Sequence, residues 1–222
     1  MNEVRVKICG LTRREDAELA AASGAHFGGV ILARGGRRSI SPDQAATVFE
    51  GTPLTRVGVF VDAPLDSLRV AAERAKLQVI QLHGDESPES AAELRAKGRW
   101  QIWKALRPRS AEDFLAGLDR YHDSVDGLLL DGWSPDAPGG TGSRFPWEEI
   151  AEHRKAVNGT RTFAVAGGLK PGNVARAIHL LRPDIVDVSS GVEDAPGIKN
   201  PSIVADFMAA VRAARRDPFR DS

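Results

Sequence analysis

The chain has 222 residues, 42% of them hydrophobic, and its 30 lysines and arginines balance 30 aspartates and glutamates. A formal charge of zero gives no field to draw in nucleic acid or an anionic membrane, and a single cysteine excludes an internal disulfide and a multi-cysteine zinc site. The first residues lack a signal-peptide core and no apolar run nears the roughly 18 residues of a membrane span, so the expectation is a soluble, cytoplasmic protein without nucleic-acid or membrane partners.

In chain order, eight short apolar, β-branched runs predict strands at 4–8, 27–32, 56–61, 78–82, 101–105, 126–130, 162–166 and 184–188. Segments with helical spacing lie between them, among them 14–23, 65–75, 87–97, 172–181 and 202–215. Thr12 with Glu15 has capping-box spacing, Ser41-Pro42 and Lys170-Pro171 put proline near a helix start, and Gly24 and Gly98 stand where helices stop. A strand about every two dozen residues matches repeated βα units with a parallel sheet. Eight units in so short a chain predict an α/β fold of one domain, a closed eight-stranded (β/α)₈ TIM barrel over 1–215, with a fraying tail at 216–222. A doubly wound open sheet is the alternative, but Cys9-Gly10-Leu11-Thr12 does not supply its glycine fingerprint. The Pro- and Gly-rich stretch 134–144 is the one segment long enough for a mobile loop.

In such a barrel the chemistry gathers where strands end. Strand parity puts Arg5, Lys7 and Cys9 on one face and Val4, Val6 and Ile8 on the other. Cys9 then ends the first strand two residues beyond Lys7, a cation that could hold the thiol partly as thiolate; a lone cysteine is otherwise a small buried hydrophobe. Asp131 shares a face with Gly127 and Leu129, so it is either a carboxyl desolvated above aliphatic side chains, suited to general-acid work, or the cap of a following helix. Gly167-Gly168 and Ser189-Ser190-Gly191 occupy the seventh and eighth βα loops, where barrels of this kind cradle phosphate; ordinary tight turns are the alternative. Arg38 could clamp a carboxylate with both arms of its fork, whereas Arg34 and Arg37 read as a solvated basic loop. His83 is a ligand, an acid, or a strand-end residue bonded to backbone, with no neighbour at metal-site spacing. Asp187, in line with Ile185 and Ser189, is placed to orient groups near the phosphate loop. The four tryptophans read as packing residues, with Trp133 near the rim.

Taken together, these motifs resemble the phosphoribosylanthranilate isomerase family of tryptophan biosynthesis. The markers are Lys7-Ile8-Cys9-Gly10-Leu11-Thr12, Arg38-Ser39-Ile40-Ser41-Pro42, Arg56-Val57-Gly58-Val59-Phe60-Val61, Gln81-Leu82-His83-Gly84-Asp85-Glu86 and Leu129-Leu130-Asp131. Gly139-Gly140-Thr141-Gly142, Ala166-Gly167-Gly168-Leu169 with Asn173-Val174, and the run Val186-Asp187-Val188-Ser189-Ser190-Gly191-Val192-Glu193 complete them in order. The resemblance implies a (β/α)₈ barrel that needs neither metal nor cofactor and takes one small-molecule substrate, phosphoribosylanthranilate, as a monomer or homodimer. It further implies an Amadori rearrangement with Asp131 as general acid, Cys9 as general base with a pKa lowered by Lys7, and Arg38 on the anthranilate carboxylate. His83 and Asp187 would contact substrate, and Gly167, Gly168, Ser189, Ser190 and Gly191 would hold its phosphate. The chain departs from the family pattern at Phe145-Pro146-Trp147, where a carboxylate is replaced by proline, and in its second strand and the basic loop after it. The rivals are a dual-substrate isomerase of histidine and tryptophan biosynthesis, which carries aspartate where this chain has Cys9, and a phosphate-binding barrel without catalysis.

Overall fold

The computed structural model describes residues 3–132, 146–157 and 161–215; the expected loop at 134–144, Trp133 and the tail at 216–222 fall outside them. Eight parallel strands close into a barrel in chain order: β1 (Arg5–Ile8), β2 (Phe27–Ile31), β3 (Thr55–Phe60), β4 (Val79–Leu82), β5 (Gln101–Leu106), β6 (Gly127–Leu130), β7 (Thr162–Val165) and β8 (Ile185–Val188). Each lies within one residue, at either end, of the span its apolar run predicts. Lys7 of β1 stands opposite Phe27 of β2 on one side and Asp187 of β8 on the other, which closes the ring. Helices α1 (Arg14–Ala22), α2 (Pro42–Val48), α3 (Leu65–Arg74), α4 (Pro88–Lys97), α5 (Ala111–Arg120), α6 (Trp147–Glu152), α7 (Val174–Leu181) and α8 (Pro201–Arg215) follow the strands in turn.

The period of two sorts every strand into two cores. Outward side chains such as Val4, Val6, Ile8, Leu128 and Leu130 join the layer beneath the helices. Inward ones, including Phe27, Val57, Trp103, Leu129 and Ile185, fill the lumen. Phe27 and Trp103 meet edge to face at 5.4 Å, and the Arg5 guanidinium lies 5.0 Å over the Phe27 ring. Aromatic and aliphatic side chains thus fill the lumen toward the amino ends of the strands.

Several start and stop signals act as expected. Ser41 and Gln44 form a reciprocal capping box with Pro42 first in α2, and Gly24, at φ +92°, closes α1 while Ala25 N–H reaches back to the Ala20 carbonyl. Others are corrected. Thr12 caps no helix: its hydroxyl donates to the Gly197 carbonyl at 2.7 Å, and Arg13 occupies the cap position of α1 without a side-chain bond. Pro171 precedes α7 rather than opening it. Asn173 takes the cap position and ties the loop, accepting from Lys170 N–H and donating to the Gly168 carbonyl. Gly98 does end α4 as expected, though in an extended rather than a left-handed conformation, and Pro146 sits at the cap position of α6.

Periodicity gave no sign of a short hairpin between β8 and α8, made of β9 (Glu193–Ala195) and β10 (Ile198–Lys199) around a Pro-Gly turn. Strands of two and three residues are too brief to show a repeat. Among the described residues no helix is long and apolar enough to cross a membrane.

Candidate active site

Cys9 follows the last residue of β1 and Asp131 the last residue of β6, so thiol and carboxyl stand at the same mouth of the barrel. Both are buried. Beneath Cys9, the wholly buried Lys7 donates to Asp187 Oδ2 at 2.8 Å across the β1–β8 seam. Burial alone would lower the lysine's pKa, but Asp187 and Cys9 together push it up to about 12. Among the described residues Asp187 Oδ1 is buried without a hydrogen-bond partner, an acceptor left open toward the mouth.

The expected thiol activation is overturned. Burial pushes the Cys9 thiol above its ordinary value; the Lys7 charge and hydrogen bond pull it down, Asp187 pushes it up again, and the net direction is up. Lys7 is committed to Asp187, which takes back much of the effect the cation has on sulfur. A glycine gives the thiol its room. A Cβ on Gly29 of β2 would lie 2.8 Å from Cys9 Sγ and 3.1 Å from Lys7 Nζ. Gly29→Ala is therefore expected to displace the thiol, lowering kcat at least tenfold and destabilising the fold by about 1–3 kcal/mol of overpacking. Full activity with an unchanged melting temperature would contradict this account of the pocket.

Opposite Cys9, His83 Nε2 lies 3.0 Å from Asp131 Oδ2, and His83 Nδ1 lies 2.9 Å from Gln81 Nε2. Asp131 Oδ1 accepts from Gly132 N–H at 2.8 Å. Among the described residues the helix that follows, α6, takes its cap position at Pro146 and not at Asp131. His83 is correspondingly more than a strand-end residue bonded to backbone. Its own carbonyl accepts from Arg107 Nη2 at 2.9 Å, and Lys104 fixes the next turn by donating to the Gly84 carbonyl at 2.6 Å and to Glu86 at 3.1 Å. Sequence reasoning missed Gln81, Lys104 and Arg107. Only Gln81 carried a signal, on β4 two residues before His83 and in line with it.

The seventh and eighth loops lock into each other. Gly167 and Gly168 take φ of +79° and +66°, and a Cβ on Gly191 would fall 1.9 Å from the Leu169 carbonyl oxygen. Ser190 and Gly191 open a single 3-10 turn, Ser190–Val192, whose first N–H groups have no carbonyl within the turn. Ser189 is anchored through its carbonyl, which accepts from Lys199 Nζ at 3.2 Å.

Arg38 lies beside Cys9, its Cδ 2.6 Å from where a Cβ on Gly10 would be. It is not the vacant fork the sequence suggests. Its Nε and Nη2 hold Glu193 at 3.0 and 2.6 Å, and Lys199 Nζ holds the same carboxylate at 2.7 Å while donating to the Cys9 carbonyl at 2.6 Å. Burial pushes Glu193 up, yet the two cations carry it below the ordinary carboxylate value.

The family model for N-(5′-phosphoribosyl)anthranilate (PRA) isomerase matches residues 6–210. The chain belongs to the phosphoribosylanthranilate isomerase family. A family member from Chromohalobacter salexigens, named N-(5′-phosphoribosyl)anthranilate isomerase, is 44% identical over 214 residues, covering 95% of each chain. Among solved structures, the phosphoribosyl anthranilate isomerase of Thermotoga maritima superposes with a TM-score of 0.86 at 35% identity, over 95% of this chain and 99% of the other. A further phosphoribosyl anthranilate isomerase structure, in complex with reduced 1-(o-carboxyphenylamino)-1-deoxyribulose 5-phosphate, gives 0.82 at 33% identity with the same coverage. Members of the isomerase family thus match this chain over nearly its whole length in sequence and in fold.

Proposed function

We infer that the chain catalyses the Amadori rearrangement of N-(5′-phosphoribosyl)anthranilate to 1-(2-carboxyphenylamino)-1-deoxyribulose 5-phosphate in tryptophan biosynthesis, with residues 1–215 as one catalytic domain. The observation that carries the assignment of roles is the convergence of Cys9, Asp131, His83 and the Lys7–Asp187 pair at one end of the lumen. Asp131 gives a proton to the ribose ring oxygen, the C1′–O bond breaks and an imine forms. The Cys9 thiolate takes the C2′ proton, leaving an enolamine that tautomerises to the ketone.

The His83 contact serves Asp131 in both proton states. With Asp131 ionised, His83 Nε2–H donates to Oδ2 while Nδ1 accepts from the Gln81 amide. With Asp131 protonated, its hydroxyl donates to Nε2, and Nδ1–H turns to Gln81 Oε1, an atom otherwise buried without a partner among the described residues. The orphan oxygen of Asp187 suits a sugar hydroxyl, the N–H groups of the seventh and eighth loops suit the phosphate, and Arg38 suits the anthranilate carboxylate.

The test is loss of substrate fluorescence on mixing purified protein with freshly made phosphoribosylanthranilate, with Cys9→Ser as control. Because burial raises the Cys9 pKa, the base is mostly protonated at neutral pH. The rate at which iodoacetamide alkylates Cys9, which reads the thiol alone, is expected to climb with pH through and beyond the ordinary thiol value of about 8.5, with Lys7 still charged until about 12. An alkylation profile centred well below that value would contradict the raised thiol, and equal turnover by Cys9→Ser would contradict its role as the base. Comparable turnover of the histidine-pathway aminoaldose would instead favour a dual-substrate isomerase.

A further inference from the structure

Glu193 is the most heavily bonded side chain near the mouth, and the mechanism above gives it no task. Its carboxylate is almost wholly buried, with a side-chain exposure of 4%. Oε2 accepts from Arg38 Nη2 at 2.6 Å and Nε at 3.0 Å; Oε1 accepts from Arg38 Nε at 3.0 Å, Lys199 Nζ at 2.7 Å and Gly197 N–H at 3.3 Å. Lys199 passes the connection on to the carbonyls of Cys9 and Ser189. One carboxylate therefore joins the loop of Arg38, the end of β1 that carries the base and the start of the phosphate loop.

Charge and geometry point the same way. Two cations surround one carboxylate, so the cluster keeps one positive charge unbalanced, a vacancy for a single anion. The Nε/Nη2 edge of Arg38 is spent on Glu193, while Nη1 has no protein acceptor among the described residues. A guanidinium fixed along one edge offers the other in a single orientation and has already given up its rotamer freedom.

We propose that Glu193 is a positioning residue that fixes Arg38, with Lys199 as its counter-anchor, so that the outer edge of the guanidinium meets the aryl carboxylate of the substrate. The inference rests on the reading that Arg38 takes that carboxylate. It makes Glu193 a determinant of selectivity for carboxylated over uncarboxylated arylamine substrates, and it acts through Arg38 without touching the reacting atoms.

The experiment compares phosphoribosylanthranilate with its phosphoribosylaniline counterpart, which lacks only the carboxylate, in steady-state kinetics of wild type, Glu193→Gln, Glu193→Asp and Arg38→Met. Calorimetric binding of the reduced product analogue is measured alongside. For Glu193→Gln the expected result is a rise in KM of roughly tenfold for the anthranilate substrate, with kcat within about threefold and the aniline substrate within about twofold. Glu193→Asp keeps the charge that Lys199 and Arg38 need for folding but draws the guanidinium back by one methylene. It should show the same selective loss at smaller size, and it decides the matter if the glutamine variant does not fold. Equal losses on both substrates would mean that Glu193 only braces the hairpin, and tighter binding of the anthranilate substrate would mean that it competes for Arg38; either overturns the proposal. If Arg38→Met itself fails to distinguish the two substrates, the carboxylate role of Arg38 fails. A selective Arg38→Met beside an unselective Glu193→Gln sinks the Glu193 inference alone.

Discussion

Asp131→Asn lowers kcat by about 10²–10⁴-fold while the protein stays folded. The substitution keeps a carbonyl oxygen to accept from Gly132 N–H, which Asp131 Oδ1 does at 2.8 Å, and an amide to meet His83 Nε2 where Oδ2 lies at 3.0 Å. What it removes is the proton that the carboxyl delivers to the ring oxygen. KM should move little, since ground-state contacts are preserved, and the melting temperature should change by no more than a few degrees. Single-turnover fluorescence resolves the chemical step. Activity within tenfold of wild type would hand the acid role to His83, and Asp131 would then be its orienting partner.

Lys7→Met destabilises the fold by about 3–5 kcal/mol, because it leaves the Asp187 carboxylate buried and unpaired. Urea titration measures the loss directly as a lower midpoint at constant slope. Adding Asp187→Leu to the same chain should recover much of it, since a buried pair replaced whole by apolar groups costs little, whereas half a pair costs a great deal. The single variant should also drive the Cys9 thiol further up, as it loses the charge and hydrogen bond that now oppose burial. A single variant as stable as wild type would mean that Asp187 does not need its partner, and the account of the seam between β1 and β8 would fall.

What the sequence disclosed was whatever has a local period. Alternation along Val4–Ile8 and Gly127–Leu130 separated the two cores and put Cys9 and Asp131 at strand ends, facing inward. Chemistry that arises from opposing influences was not readable. The direction of the Cys9 shift turns on how far Lys7 is engaged by Asp187, 180 residues away, and no pattern around residue 9 contains that. Arg38 looked vacant for the same reason, since Glu193 lies 155 residues downstream. Thr12 carried a valid capping signal that lost to a distant carbonyl at Gly197. Buried Lys199 gave no warning at all, because lysine is a surface residue unless a partner is supplied.

The hairpin β9–β10 also sets when the enzyme becomes an enzyme. Lys199 reaches Cys9 over a sequence separation of 190, Thr12 reaches Gly197 over 185 and Lys199 N–H reaches Asp16 over 183. Contacts of such range are entropically the most expensive to form and come after local βα units have condensed. During folding, then, every helix and most strand pairs can be in place while the base is still unsupported and its clamp unaligned. Turnover in this molecule reports that the two ends of the ring have met.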